Sequence, residues 1–552
     1  MSVVHAFRSW CRSGLVVTVS GLVAASAAAC GGSETSNSSA PGAPTLVSTA
    51  GAAKGPVDLI TWNLTTGEPD TLDPPNAATY GGGQVVMNLC DTLLRFDADY
   101  NMSPGLADYK QISPTRLVYT LRGDAKFWDG TPVTAEDVAY SLQRAKGDTI
   151  VSTFFSNVAS IKVTGANEVT VDFSAPDERF NNEMTTIAGA IVEKAFAEKA
   201  GKDFGTAAGG LMCSGPFRFD QWRPGDSITM SRNDGYWDRD RLPLAKQVKF
   251  TFINDTTALS QALNAGEIDG AYEVPAAAIP NMQNSSVGRV FFGPSTSSIA
   301  LSAANAGGPT SDPKFGEGLQ KLINREELAK AVFHGSGEPL YTAVTPRTWP
   351  NDQTATYKTA YAEYEKARAF DLDAAKALVK DSKYDGRELV IAYQAGDPTM
   401  NQVAQLLQQQ AQTVGIKFKL QTMEALAYEQ AGYDATKRQG IDFLLGSTFN
   451  AVTDPLEPAM FDFVPGAPYN YTGYDDAETT KLLNEALGTF DGAARADLII
   501  KAQQRWEKEN QVVPLIATHT VTFLNNRLSG AVTSFAYWDM PQMAFVGAAN
   551  PS

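Results

Sequence analysis

Apolar and polar residues follow two different periods along the chain, and one short stretch contains both. The segment RLVYTLR (residues 116–122) alternates apolar and polar side chains, which predicts a half-buried β-strand. After the turn KFWDGTPV, residues 135–142 place apolar side chains at helical spacing. Thr134 stands at the expected N-cap and Asp137 at the acidic position of a capping box. The pattern predicts a strand, a turn and a capped helix, with no group suited to catalysis.

The rest of the chain mixes strand and helix patterns without an internal repeat. Apolar alternation predicts strands in VDLITWNL, SITMSR, QVKFTFI and IKFKLQTM. Apolar residues at helical spacing predict helices in TALSQALNAGEI, DAAKALVKDS, MNQVAQLLQQQAQTVG and ARADLIIKAQQRWEKEN. Helices that alternate with strands favour sheets with crossover connections, so the predicted fold class is α/β. No low-complexity block interrupts residues 57–549.

The first residues have the order of charge and hydropathy that is typical of a secretory signal peptide. Arg8 and Arg12 precede an apolar run of 15 residues, LVVTVSGLVAASAAA, which is short for a membrane-spanning helix. The run ends in AAAC, which resembles a bacterial lipobox. We therefore predict that residues 1–29 are removed and that Cys30 is lipidated. The alternative is cleavage after an A-x-A site, which leaves Cys30 unmodified.

The segment after Cys30 predicts a tether. Residues 30–56 are rich in Gly, Ser, Ala and Pro and lack apolar periodicity, as in a flexible linker. Such a linker spans roughly 25–30 Å on average, which would hold a folded body clear of a membrane. Folding is predicted to start near Val57. We expect an exported protein, anchored by lipid to the outer face of the cell membrane and touching the membrane only through that anchor.

Composition and charge exclude several classes of function. The chain has 552 residues, which predicts more than one domain, and a formal charge of −16 from 61 acidic and 45 basic residues. Nucleic acids and anionic membrane surfaces are therefore poor partners. The three histidines, His5, His334 and His519, stand apart from any nucleophile or metal-ligand motif. We expect a protein that is not an enzyme, with no catalytic residues, no metal site and no cofactor.

Six blocks of sequence, in one order along the chain, resemble a single protein family. The segment YTLRGDAKFWDGTPVTAEDVAYSLQR resembles the signature of the bacterial extracellular solute-binding proteins of family 5, the dipeptide- and oligopeptide-binding receptors of ABC importers. Asn324 stands where the family usually has Asp. The six blocks are spread over nearly the whole mature chain, and the other five are EPDTLDP, CSGPFRFDQWRPGDSITMSRNDGYWD, NDTTALSQALNAGEIDGA, LQKLINREELAKAVFHGSGEP and NYTGYDDAETTKLLNEA.

The resemblance implies a two-lobed periplasmic-binding-protein-like fold of the large cluster. Lobe I would comprise residues 57–297, with an inserted subdomain at about 89–176, and would be completed by residues 516–552. Lobe II would comprise residues 298–515. A solute would be held between the lobes, which close by a hinge motion. The protein would act as a monomer and deliver the solute to the permease subunits of an ABC importer.

The resemblance leaves the identity of the solute open. Dipeptide-binding relatives use an Asp for the ligand's amino group and an Arg for its carboxylate. The Asp position falls among residues 450–452 (Asn, Ala, Val) and the Arg position near residues 401–402 (Asn, Gln), while Asp454 belongs to the following Asp-Pro step. A free dipeptide would bury both charged ends without partners, at a cost of several kcal/mol. A strict dipeptide receptor is thus disfavoured; longer peptides and neutral solutes such as oligosaccharides stay open.

Ligand contacts are expected from both lobes and to be neutral or aromatic. The predicted ligand-binding residues are Thr66, Gly67, Glu68 and Tyr80 in lobe I and Thr448, Phe449 and Asn450 in lobe II. Trp349, Tyr341 and Trp538 are further candidates for lining the ligand site, with packing in the core as the alternative for each.

A second possible function is that of a lipoprotein with this fold that serves as a sensor or envelope interaction protein.

Two cysteines remain once the signal peptide is gone and Cys30 is lipidated. They are Cys90 and Cys213, and in an exported chain such a pair is a disulfide candidate. The resemblance places both in lobe I. The alternative is two separate buried thiols.

Overall fold

A computed structural model describes residues 44–551 of the protein. The predictions for the signal peptide and for Cys30 lie outside the described residues. The strands are β1 (Val57–Asn63), β2 (Leu94–Phe96), β3 (Met102–Pro104), β4 (Ala107–Ser113), β5 (Arg116–Leu121), β6 (Val158–Gly165), β7 (Glu168–Phe173), β8 (Phe217–Arg223), β9 (Ser227–Arg232), β10 (Ala245–Thr251), β11 (Gly270–Ala271), β12 (Gly288–Gly293), β13 (Ser298–Ala303), β14 (Gly337–Pro339), β15 (Glu388–Gln394), β16 (Lys417–Met423), β17 (Phe443–Thr448), β18 (Val512–Thr518), β19 (Thr520–Asn525), β20 (Leu528–Ser529) and β21 (Gly547–Ala548).

The helices confirm every helical segment that the sequence pattern predicted. In the capping box, Thr134 N donates to Asp137 Oδ2 over 3.0 Å and Asp137 N donates to Thr134 Oγ1 over 3.3 Å. The helices are α1 (Tyr80–Leu89), α2 (Ala135–Ala145), α3 (Phe180–Glu183), α4 (Lys194–Ala200), α5 (Thr256–Ala265), α6 (Ile279–Met282), α7 (Pro313–Leu322), α8 (Arg325–Val332), α9 (Thr354–Ala367), α10 (Leu372–Lys380), α11 (Pro398–Gln412), α12 (Ala425–Tyr433), α13 (Leu456–Asp462), α14 (Ala477–Leu487) and α15 (Gly492–Trp506).

The first lobe is built on a seven-stranded sheet with the order β12-β19-β11-β1-β10-β9-β8. Its central strand β1 runs parallel to both neighbours, β10 and β11, and α5 makes the crossover between those two. Ile60 and Trp62 of β1 are completely buried, as the apolar run in this segment requires. The predicted strands of this region are confirmed.

The second lobe is built on a six-stranded sheet with the order β14-β18-β13-β17-β15-β16. Strands β15 and β16 are parallel, and α11 connects them. The buried side chains of α11 include Val403, Leu407 and Ala411, which lie on one face at helical spacing. The chain passes from one sheet to the other twice, at residues 294–297 between β12 and β13 and at His519 between β18 and β19.

A separate four-stranded antiparallel sheet, β4-β5-β7-β6, lies in sequence between β1 and β8. The strand β5 and the helix α2 are the elements that the stretch at residues 116–142 predicted, and both pack within this small unit. Cys90, which follows α1, and Cys213, just before β8, form a disulfide with a sequence separation of 123. Both cysteines are buried.

The ordered chain begins before Val57, which corrects part of the linker prediction. Residues 44–56 were assigned to a flexible tether, but their backbone pairs with the C-terminal part of the chain and with β12. Val47 N donates to Phe292 O over 2.9 Å, and Lys54 N donates to Ala548 O over 2.7 Å. These backbone hydrogen bonds help to offset the conformational entropy that residues 44–56 lose when they are held in place. Within residues 44–551, no helix is long and apolar enough to span a bilayer.

Candidate functional site

The two lobes meet through an aromatic side chain that the second lobe inserts into the first. Phe449 follows β17, and its ring centroid lies 4.7 Å from that of Tyr80, 5.3 Å from Phe535 and 5.3 Å from Trp538. We call these four side chains the aromatic contact. The geometry is tilted or edge-on, which is the favourable arrangement for aromatic pairs. Two of the predicted site residues, Tyr80 and Phe449, are thus brought together from opposite lobes.

The start of α1 explains how the first lobe forms its half of the aromatic contact. Thr79 caps the helix by accepting a hydrogen bond from Gly82 N over 3.1 Å. A Cβ atom at Gly83 would lie 2.3 Å from Trp538 Nε1, so the indole can reach the helix only because this position is glycine. Trp538 Nε1 also donates to Thr79 O over 3.3 Å. The glycine run that opens α1 therefore positions Trp538, and with it the surface that Phe449 meets.

A buried carboxyl group, which the sequence did not single out, lies beside the aromatic contact. Glu273 adopts a positive φ of 51°, which is uncommon for a residue with a Cβ. Its Oε1 accepts a hydrogen bond from Tyr537 Oη over 3.1 Å, and the Tyr537 ring stacks on Tyr272 with centroids 3.9 Å apart. Burial raises the pKa of Glu273 to about 7. Near neutral pH this group can therefore act as a hydrogen-bond donor or acceptor.

A groove of about 1130 Å³ runs between the two lobes beyond the aromatic contact. Asp255 and Asp397 are N-cap residues of α5 and α11, so their carboxylates already accept backbone N–H groups. Tyr393 Oη donates to Asn401 Oδ1 over 2.9 Å. We call this cavity the amide groove, because carboxamides and hydroxyls dominate its lining: Asn254, Asp255, Thr256, Thr257, Ser260, Gln261, Asn264, Ala265, Ala277, Ala278, Asn281, Tyr393, Gly396, Asp397, Pro398, Asn401 and Thr422.

The side chains that line the amide groove are mostly polar, and the charged ones among them are the two acids Asp255 and Asp397. Its lining contains no Lys, Arg or His, so a ligand carboxylate would find no cationic partner in it. Carboxamide and hydroxyl groups offer both donors and acceptors, which suits peptide groups and sugar hydroxyls. Asn401, at the position where dipeptide receptors were expected to have Arg, lines the groove.

The predicted ligand-binding loop of lobe I, residues 66–68, borders the amide groove. Not all of its side chains lie in the groove. Gly67 has φ of 103°, and a Cβ atom at this position would lie 3.2 Å from the Asn254 side chain, which lines the groove. Thr66 is exposed. Glu68 faces away from the groove, because its carboxylate accepts hydrogen bonds from Trp222 Nε1 over 2.6 Å and from Gly225 N over 2.9 Å. The structure therefore assigns Glu68 to contacts within lobe I.

The predicted lobe II residues lie at the end of β17, next to the first crossing between the lobes. Thr448 is exposed and pairs with Ser298 through hydroxyl oxygens 3.4 Å apart. Asn450 O accepts from Thr296 Oγ1 over 2.6 Å, and Asn450 Nδ2 donates to Thr296 O over 3.4 Å. Asn450 thus holds the crossing segment, with Phe449 beside it in the aromatic contact.

The other aromatic candidates separate into two groups. Trp538 belongs to the aromatic contact, as described above. Trp349 and Tyr341 pack against Tyr361 within lobe II, with centroids 5.5 Å and 6.2 Å from it. Sequence reasoning missed Glu273 and Tyr537; the only available signal was an acid inside the apolar segment AYEVP. In residues 44–551, no group of three or more acidic, His or Cys side chains is arranged to hold a metal ion.

Comparison with known proteins gives relatives over most of the chain. Glutathione-binding protein GsiB of Escherichia coli (strain K12) is 26% identical over 513 residues, which cover 91% of this chain and 95% of that protein. GsiB of Salmonella typhimurium (strain LT2) is also 26% identical, over 507 residues that cover 90% and 94% of the two chains.

Solved structures of low sequence identity share the fold. The ABC transporter substrate-binding protein CtaP from Listeria monocytogenes has a TM-score of 0.77 at 19% identity, over 90% of this chain and 100% of that one. The oligopeptide-binding protein AppA from Bacillus subtilis, solved with a nonapeptide, has a TM-score of 0.74 at 18% identity, with the same coverage. These likenesses establish the two-lobed α/β architecture.

The family itself follows from the sequence match. The middle region that defines the bacterial extracellular solute-binding proteins, family 5, matches residues 101–469, which is well over half of the chain. Most of the six sequence blocks that resemble this family lie within that range. The chain belongs to the bacterial extracellular solute-binding proteins of family 5.

Proposed function

We propose that this protein is a receptor that captures a peptide or peptide-like solute between its two lobes and delivers it to an ABC import permease. The observation that carries the proposal is the amide groove, a cavity of about 1130 Å³ bounded by side chains of both lobes. Its volume slightly exceeds the usual range of about 300–1,000 Å³ for small-ligand sites, so it has room for a ligand larger than a dipeptide.

The lining of the groove restricts the solute. Peptide groups and amide side chains can exchange hydrogen bonds with Asn254, Gln261, Asn264 and Asn281, whereas a free carboxylate would have no cation to pair with in the groove. The names of two similar proteins, one binding glutathione and one solved with a nonapeptide, support a peptide-like ligand of more than two residues, whose carboxylates would have to lie beyond the side chains that line the groove. A neutral non-peptide solute such as an oligosaccharide is the second candidate, because the same carboxamides suit sugar hydroxyls.

The proposal includes export and a lipid anchor at Cys30, for which the support is the order of charged, apolar and small residues at the N-terminus. It also includes a monomeric receptor that meets a permease. A sensor or envelope lipoprotein is the competing function. The open groove supports a receptor, since a protein that no longer binds solute would be free to fill that volume with side chains.

Native mass spectrometry of the protein purified from its own cells tests the proposal directly. We expect a co-purified solute whose mass fits a peptide, and its release on denaturation. Calorimetry with the identified solute should then give an affinity that hardly changes with salt, because neutral hydrogen bonds respond little to ionic strength. Glutathione and a free dipeptide serve as comparison ligands. Tight, salt-sensitive binding of the dipeptide would show that charged anchors exist, and the absence of any bound solute would favour the sensor.

A further inference from the structure

A second contact between the lobes, away from the amide groove, is formed by charged side chains, which are buried except for the half-buried Glu178. None of them lines the groove. Five carboxyl groups and two guanidinium groups leave an excess of three negative charges when all are ionised. We call this set the acidic contact; lobe I contributes Asp177, Glu178, Arg179 and Glu183, and lobe II contributes Asp454, Glu457 and Arg495.

Two interactions of the acidic contact cross from one lobe to the other. Arg495 Nη2 lies 3.2 Å from Glu178 Oε2, and Glu178 N donates to Leu487 O over 2.9 Å. Arg495 Nη2 also lies 2.6 Å from Asp454 Oδ2. One guanidinium group is therefore shared between carboxyl groups of both lobes. Separation of the lobes would break the first two interactions and expose the group to water.

The two glutamates at the centre of the acidic contact lack a full set of cationic partners. Glu183 is completely buried, and neither of its side-chain oxygens has a hydrogen-bond partner among the described residues. Its nearest cation is Arg179, whose Nε lies 3.8 Å away. Glu457 accepts hydrogen bonds only from the backbone, from Ala451 N and Val452 N over 3.2 Å each. A carboxylate buried without a cation is costly, and protonation relieves that cost.

More acidic than basic side chains surround Glu183 and Glu457. Asp539, from the C-terminal segment, is also buried with both carboxyl oxygens lacking a partner, and both burial and Glu457 raise its pKa. Burial raises the pKa of Glu183 well above its usual range and that of Glu457 to about 7. Burial likewise raises the pKa values of Asp177 and Glu178. Two further polar groups face the set: Asn157, which donates to Asp177 Oδ2 over 3.2 Å, and the buried Tyr357 of α9 near Arg495.

The cation that suits this arrangement is a proton. No metal-binding arrangement of acidic side chains exists in the part of the chain that the structure describes. A proton needs no cavity, since it adds to a carboxyl oxygen that is already in place. Glu183 of the first lobe and Glu457 of the second are both buried, and Glu457 is close enough to raise the pKa of Glu183.

We propose that closure of the two lobes takes up protons at the acidic contact, so that acidic conditions favour the closed form and alkaline conditions favour the open form. This inference rests on the hinge closure of the proposed function. The sign follows from the geometry, because the closed form holds carboxyl groups out of water and near one another, whereas the open form lets them ionise. Linkage then requires the closing equilibrium to rise as pH falls.

The test measures the distance between the lobes as a function of pH, without added solute. The full chain with Cys11→Ala and Cys30→Ala carries no free native thiol if Cys90 and Cys213 are bridged, so dyes can be placed by Lys110→Cys and Lys481→Cys, at exposed positions in the two lobes. Uptake of one proton changes the closing equilibrium constant by up to about tenfold per pH unit. We expect at least about a threefold rise per unit as the pH is lowered from about 8 to about 6.

Matched variants identify the groups responsible. Glu183→Gln keeps the shape of the side chain and removes its titration, so the pH slope of closure should fall while the closed fraction at alkaline pH rises. Glu363→Gln, on the exposed face of α9, should leave the slope unchanged. A closed fraction of the unsubstituted protein that does not depend on pH would overturn the proton linkage. If peptide addition still moved the lobes, the receptor function would stand; a fixed distance under all conditions would overturn both.

Discussion

Phe449→Ala is the substitution that most directly separates a cleft residue from a core residue. The ring touches three aromatic rings of the first lobe at centroid distances of 4.7 to 5.3 Å. Each such pair stabilises by about 0.5–1.5 kcal/mol beyond the burial of area. The side chain is only partly buried, and all three of these aromatic partners belong to the first lobe, so opening of the lobes would remove these pairs. We therefore expect the closed form to lose about 1–3 kcal/mol, which is roughly 5- to 150-fold in solute affinity.

The assay is titration calorimetry with the co-purified solute, together with chemical denaturation of the same variant. Because the ring joins the two lobes rather than the interior of one, the free energy of unfolding should fall by less than about 1 kcal/mol. Phe490→Ala is a matched control, since that ring is 47% exposed on the second lobe, and it should change neither quantity. A loss of about 3–5 kcal/mol in unfolding free energy with unchanged affinity would refute the reasoning and make Phe449 a core residue.

Three further predictions follow from single groups. Cys30→Ala should release the protein from membranes into the soluble fraction, and retention of the variant in membranes would contradict lipidation at this residue. Intact-mass measurement after denaturation without reductant should find no free thiol at Cys90 or Cys213; the bridge closes a loop for which chain-entropy models give about 4–5 kcal/mol, so Cys90→Ser should lower the unfolding free energy by a similar amount. The pKa of Glu273, raised from 4.5 to about 7 by burial, should make the unfolding free energy fall by up to about 3 kcal/mol as the pH rises from about 4.5 to about 7 and then level off, and denaturation of Glu273→Gln should show a correspondingly smaller pH dependence.

The sequence by itself determined the local elements and the family. The alternation in residues 116–122 and the helical spacing in residues 135–142 each arise within a few residues, so a short window of sequence predicts both β5 and α2, although β5 obtains its backbone hydrogen bonds from β4 and β7. The capping box at Thr134 was readable for the same reason, since both of its partners lie three residues apart. The order of the sequence blocks predicted the two-lobed architecture, but only through their resemblance to a known family.

Local composition misled where the outcome depended on distant partners. Residues 44–56 have the composition of a linker, yet they pair with strands and loops hundreds of residues away in sequence. Glu68 stays a predicted ligand residue, and no sequence pattern indicated that its carboxylate accepts hydrogen bonds from Trp222 and Gly225. In both cases, the deciding hydrogen bonds come from segments whose proximity no short window of sequence reveals.

Only the tertiary structure decided which side chains meet where the two lobes join. Glu273 meets Tyr537 across a separation of 264 residues, and Glu178 meets Arg495 across more than 300. A carboxyl group alters its pKa, and becomes a candidate for function, only through the burial and the charges that such contacts bring. Periodicity fixes which face of each strand or helix turns inward, but it carries no information on which buried faces are joined, because that choice depends on how the long intervening loops close.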